Sequence, residues 1–176
     1  PYPEPVRQSV PVNGIVPAVG GGEDAARLAV ESDCQTIKLK VAEPGEGLER
    51  DIERVAAIRE ALPAAKIRID ANGAWSVKDA IKAIKKLDQV AGGLEYVEQP
   101  CKTVEDLREV RRKVNVPIAA DESIRRAADL FRNQPGIAEV LVGSDRAKYA
   151  LDHERGDAPG VLRAALTEYQ RVPHQR

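Results

Sequence analysis

Between about residue 10 and residue 125 the chain alternates short apolar runs with longer stretches whose apolar residues recur every three or four positions. The runs fall at 12–19, 36–41, 67–71, 94–98 and 117–121, which is strand length. Leu48, Ile52, Val55 and Leu62 share one helical face after the second run, and Val77, Ile81, Ile84 and Leu87 share another after the third. Val104, Leu107 and Val110 do so after the fourth. Ser76 and Thr103 stand as N-caps, with Asp79 and Asp106 three residues on, a helix-start signal. Strand–helix repeats of this length imply a parallel sheet, because parallel neighbours need a crossover connection. Both an open doubly wound sheet and a (β/α) barrel would satisfy that.

The runs themselves favour the barrel. Ile37, Leu39 and Val41 alternate with Lys38 and Lys40; Ile67 and Ile69 alternate with Arg68 and Asp70; Ile118 and Ala120 alternate with Ala119 and Asp121. Alternate residues of a strand point to opposite faces. A doubly wound sheet is apolar on both faces, whereas a barrel with a polar mouth has its helices outside and charge within. The run at 137–142 reads as a sixth strand, and 143–176 loses the rhythm. A complete barrel has eight units in roughly 250 residues. The expected fold is therefore α/β: a partial TIM-type (β/α) barrel of five to six units. Units one to five occupy 10–128, and an atypical tail at 129–176 holds at most one further strand and helix.

Composition narrows the chemistry. Among 176 residues, 27 are basic and 28 acidic, giving a net charge of −1. That balance offers no basic stripe for nucleic acid. No apolar run spans a bilayer and no signal pattern opens the chain. Cys34 and Cys101 are the two cysteines, in no metal-like spacing, as expected of free thiols in a reducing cytoplasm. The chain opens at Pro1 and has no methionine, so we expect a piece of a longer product. Histidine occurs only at His153 and His174; proton transfer in the body of the chain must use lysine and carboxylates. The triple glycine Gly20-Gly21-Gly22 could cradle a phosphate or simply open the helix that follows.

Asp70, Glu98 and Asp121 close three successive expected strands, each followed by a turn signal: Ala71-Asn72-Gly73, Gln99-Pro100 and Glu122-Ser123. Strand ends of a barrel converge, and three like charges at close range call for a cation. Hard oxygen ligands with room for water and substrate suit Mg²⁺, with Mn²⁺ as the alternative ion. The competing reading is of loop-starting acids paired with arginine. Lys38 and Lys40 sit on the preceding strand. A lysine near its ordinary pKa of about 10.4 is a poor base at neutral pH. A second ammonium on the same face, together with desolvation, lowers it towards the working range. Lys40, nearer the mouth, is then the base and Lys38 the neighbour that tunes it; the competing reading is a solvated strand face. Together with a metal, a lysine of this kind would enolise a small-molecule carboxylate, the cation stabilising the charge that develops.

The motifs Lys38-Leu39-Lys40, Asp70-Ala71-Asn72, Glu98-Gln99-Pro100 and Asp121-Glu122-Ser123 occur in the order found in the enolase superfamily, which residues 8–128 resemble. Within it, Val10-Pro11-Val12-Asn13, Lys38-Leu39-Lys40-Val41-Ala42-Glu43-Pro44-Gly45, Asp70-Ala71-Asn72-Gly73-Ala74-Trp75, Tyr96-Val97-Glu98-Gln99-Pro100-Cys101 and Ala119-Ala120-Asp121-Glu122-Ser123-Ile124-Arg125 are most similar to the actinobacterial o-succinylbenzoate synthase family. The resemblance implies a syn elimination of water on the way to menaquinone. In it Lys40 removes the α-proton and then protonates the leaving hydroxyl, Lys38 assists, and Asp70, Glu98 and Asp121 bind Mg²⁺. Asn72, Ser123 and Arg125 are candidate substrate contacts.

The pattern also departs from that family. A further lysine is expected at the end of the sixth strand, where this chain has Gly143-Ser144-Asp145 and, nearby, Lys148. The resemblance implies a capping domain ahead of the barrel, and residues 1–9 are expected to be the linker from it, the domain itself lying outside this sequence. Two other readings stand beside the first. One is a different superfamily activity, N-acylamino acid racemisation or dipeptide epimerisation, which needs lysines on both sides of the substrate. The other is a truncated, non-catalytic fragment that binds Mg²⁺ or self-associates through open sheet edges.

Overall fold

The computed structural model describes residues 11–124 and the strand at 140–142. The linker at 1–9, Arg125 and the tail other than that strand lie outside the described residues. Six parallel strands form one sheet in the order β1-β2-β3-β4-β5-β6: Gly14–Val16, Thr36–Lys40, Lys66–Asp70, Tyr96–Glu98, Ile118–Ala120 and Val140–Val142. Four helices connect the first five strands: α1 (Gly22–Glu31), α2 (Leu48–Ala61), α3 (Val77–Ala91) and α4 (Val104–Arg111).

Sequential strand order is the signature of single winding. Crossovers of one hand then set every helix on the same face of the sheet, and α1 packs on α2, α2 on α3 and α3 on α4. Ile37, Leu39, Ile67, Ile69, Val97, Ile118 and Ala120 face those helices and are fully buried. Lys38, Lys40 and Arg68 alternate with them on the other face and stay half-buried. The sheet is thus a partial barrel wall, apolar outside and polar within, as the alternation in the sequence predicts.

The helix caps form as expected: Ser76 accepts from the Asp79 amide at 3.2 Å and Thr103 from the Asp106 amide at 3.2 Å. Each such cap stabilises its helix by about 1 kcal/mol. Val104, Leu107 and Val110 are buried. The expected face of α2 needs correction, because its buried residues are Asp51, Arg54, Val55 and Ile58, while Leu48, Ile52 and Leu62 are only partly buried. The cause is tertiary. The Arg54 guanidinium donates to the Gly20 carbonyl at 2.8 and 3.1 Å and pairs with Glu46 at 2.6 Å, and Asp51 accepts from the Ala42 amide at 3.0 Å. In α3 the packed residues include Ala80, Ala83 and Ala91 beside Ile84 and Leu87, with Val77 and Ile81 at the margin.

The triple glycine serves packing. A Cβ on Gly22 would lie 3.0 Å from the Ala57 methyl and from the Glu53 carbonyl, and the Gly22 amide donates to the Glu53 carboxylate at 3.0 Å. A protein carboxylate thereby sits at the α1 N-terminus, where an anion is favoured. β1 is three residues long rather than the eight expected, and Val12, Ile15 and Val19 are exposed. Among the described residues β1 pairs on one side alone. No described helix is long and apolar enough to cross a membrane.

Candidate active site

Register brings the polar residues together. Lys40 is paired with Asp70 across β2–β3, Asp70 with Glu98 across β3–β4, and Glu98 with Ala119 across β4–β5. Partners in a parallel ladder face the same way, so Lys40, Asp70 and Glu98 form one row on the face opposite the helices, at the C-terminal ends of their strands. Asp121 follows β5 directly. The row beneath holds Ile15, Lys38, Arg68 and Tyr96.

The two ammonium groups converge on the carboxylates. Lys40 Nζ lies 2.6 Å from Asp70 Oδ2 and 2.7 Å from Asn72 Oδ1. Lys38 Nζ lies 3.0 Å from the same Asp70 oxygen and 2.7 Å from Glu98 Oε1. The sequence predicts that the second ammonium acts on Lys40 by repulsion; in the fold a shared anionic oxygen stands between them. Burial pushes the Lys38 pKa down, but the Glu98 and Asp70 carboxylates outweigh it and hold the group charged. Burial pushes Asp70 up, and the Lys40 and Lys38 ammonium groups more than reverse that, keeping it below the usual carboxylate range. Glu98 goes the other way. Burial raises its pKa, Lys38 offsets part of this, and the Asp70 and Asp121 charges raise it further.

Among the described residues no group of three acidic, histidine or cysteine side chains is spaced as a ready-made metal cage. The lysines supply the positive charge that the carboxylates need. A cation still fits the donor set on one specific ground: Glu98 Oε2 is buried and has no hydrogen-bond partner among the described residues. An orphaned carboxylate oxygen costs free energy, and a hard cation held between Glu98 and its acidic neighbours would relieve it.

Of the expected substrate contacts, Asn72 links Lys40 to Glu122, donating to the Glu122 carboxylate at 2.6 Å. Ser123 donates its hydroxyl to Gln99 Oε1 at 3.1 Å. Arg125 lies outside the described residues. Ala42, Asn72 and Gln99, each just past a strand end, have φ of 62°, 46° and 39°. Such left-handed residues cost about 1–3 kcal/mol each and gather at functional sites. The sequence reading took Gln99-Pro100 as a turn and as part of the Glu98-Gln99-Pro100 motif, and gave the Gln99 side chain no role. It is fully buried.

Residues 22–134 match the model of the family described as enolase C-terminal domain-like. The chain belongs to that family. Among curated relatives of this enolase C-terminal domain-like chain, the o-succinylbenzoate synthase of Thermobifida fusca (strain YX) is 51% identical over 173 residues, covering 94% of the chain and 53% of the relative. The o-succinylbenzoate synthase of Mycolicibacterium smegmatis is 51% identical over 132 residues, covering 75% and 40%. The chain thus spans about half or less of the length of these relatives. A solved dipeptide epimerase from Enterococcus faecalis V583, complexed with Mg and the dipeptide L-Leu-L-Tyr, superposes with a TM-score of 0.58 at 39% identity, covering 69% of the chain and 35% of the epimerase. The partial barrel is therefore a segment of an enolase-superfamily architecture.

Proposed function

We propose that the chain carries the proton-abstracting part of an o-succinylbenzoate synthase-like dehydratase. It would act in the cytoplasm on 2-succinyl-6-hydroxy-2,4-cyclohexadiene-1-carboxylate in menaquinone biosynthesis. The observation that carries this reading is the convergence of Lys40 and Lys38 on Asp70 and Glu98 at adjacent strand ends.

Lys40 is the more exposed of the two lysines, with 35% of its side chain accessible against 18% for Lys38, so it is the one a substrate can reach. As a neutral amine it takes the proton from the carbon next to the substrate carboxylate, breaking the C–H bond. Returned to the hydroxyl on the same face, that proton leaves with it as water, and the ring becomes aromatic. One lysine suffices for such a syn elimination. Lys38, held charged by Glu98 and Asp70, supplies a fixed positive charge beside the developing negative one. Asp70, Glu98 and Asp121 would hold Mg²⁺, or Mn²⁺ in its place. When bound, the ion supplies Lewis-acid stabilisation of the substrate carboxylate.

The test is o-succinylbenzoate formation by the chain with Mg²⁺, followed by its aromatic absorbance, against an EDTA control. Metal-dependent turnover is the expected result. Absence of turnover with Mg²⁺ bound would leave the alternative of a non-catalytic, metal-binding segment. The epimerase neighbour at 39% identity supports a second reading, epimerisation of a dipeptide, which incubation with L-Ala-L-Glu followed by optical rotation would expose as inversion at the α-carbon.

A further inference from the structure

We infer that Gln99 is a positioning residue that sets Asp121 against Glu98 for a divalent cation; this rests on the metal-site reading above. The Gln99 side chain is fully buried, and each end of its amide is committed. Oε1 accepts from the Asp121 amide at 2.7 Å, the Ser123 amide at 3.3 Å and the Ser123 hydroxyl at 3.1 Å. Nε2 donates to the Cys101 carbonyl at 2.8 Å. With donors at one end and a carbonyl at the other, the amide has a single satisfactory orientation.

The backbone of the same residue completes the bracket. Its amide donates to the Ala119 carbonyl at 2.8 Å, and its carbonyl accepts from the Gly73 amide at 2.6 Å. Gln99 therefore touches the loops that follow β3 and β5 while continuing β4, the strand that ends in Glu98. The residue before a proline is ordinarily extended, yet Gln99, preceding Pro100, has φ of 39°. That strained turn is what swings its side chain across to β5 instead of along its own loop. Among the described residues Asp121 has no strand pairing, since β5 ends at Ala120, and its amide is anchored by Gln99 instead. Partners that orient metal ligands from behind commonly control affinity by roughly 10- to 100-fold.

The experiment compares the chain with Gln99→Met, which keeps the length and loses both hydrogen-bonding ends. Two quantities are read: amide hydrogen exchange residue by residue, and Mn²⁺ affinity by electron paramagnetic resonance. Arg59→Met, which loosens the opposite end of the strands, serves as a control for destabilisation away from the site. The expected result is faster exchange at Asp121 and Ser123 with Gly73 still protected, and Mn²⁺ affinity lower by roughly 10- to 100-fold while the Arg59 variant binds as the parent does. Unchanged exchange at Asp121 and Ser123 would overturn the inference. So would a Gln99 variant that binds Mn²⁺ like the parent, or an Arg59 variant that loses as much. A parent chain that does not bind Mn²⁺ removes the metal-site reading and this one with it, an outcome distinct from unchanged affinity in the variant. If Gln99→Met does not fold, Gln99→Asn, which keeps a buried amide but is one methylene too short for its oxygen to reach the Asp121 amide, carries the same two readings.

Discussion

Lys38 holds one oxygen of Glu98 at 2.7 Å, and the other is buried without a partner among the described residues. A neutral amide in place of Glu98 loses the ion pair and weakens any cation ligated there. We expect Glu98→Gln and Asp121→Asn each to lower Mg²⁺ affinity by roughly tenfold or more, measured by calorimetry. Unchanged affinity in either variant removes that residue from the metal site.

Lys40→Ala is expected to abolish dehydration while Mg²⁺ binding stays intact, because Asp70 keeps its 3.0 Å contact with Lys38. Retained turnover, followed by product absorbance, would sink the assignment of Lys40 as base.

Arg59 closes the far end of the wall. Its guanidinium donates to the carbonyls of Ala91, Leu62, Pro63 and Ala65 at 2.6, 3.3, 2.7 and 2.8 Å. Arg59→Met leaves these carbonyls short of a charged donor and should cost about 2 kcal/mol, read from a denaturant midpoint. A change below a few tenths would show that water replaces the clip.

Cys101 is buried, and burial, with Asp106 and Glu109 adding to it, pushes its thiol up to about 11. Cys34 is half-buried. The thiolate is the reactive form, so at pH 8 iodoacetamide should label Cys34 well before Cys101 in the folded chain. Mass spectrometry of digested, labelled protein decides this, and equal rates would contradict the burial.

Glu95 reaches Lys66 at 2.9 Å and Arg68 at 2.6 Å. Burial pushes its pKa up, but the two cations outweigh that and hold it below the usual range. A carboxyl whose folded pKa is depressed adds stability above its unfolded pKa of about 4.3 and loses it as pH falls through the folded value. The melting gap between the parent chain and Glu95→Gln should therefore be full near pH 6 and close on acidification below about pH 4. A gap that does not change with pH would leave the ion pairs without a role.

The alternation of Ile37 and Leu39 with Lys38 and Lys40 made the two-faced wall legible, because a period of two is written directly in the residues. The carboxylates at the ends of β3 and β4, and just past β5, were legible for the same reason. Arg54 and Asp51 were not, since polar residues read as exposed unless a distant partner is known, and Arg54 finds its own at Gly20. Gln99 was hidden likewise: its partners, Asp121 and Ser123, are more than twenty positions away.

The parallel registers that align Lys40, Asp70 and Glu98 also make the core the inspector of the site. A slip of one residue at β2 or β3 would turn the lysines towards the helices and Ile37, Leu39, Ile67 or Ile69 into the mouth. Such a misalignment meets its penalty in the apolar layer between sheet and helices. The fidelity of the polar face is thus enforced from its back.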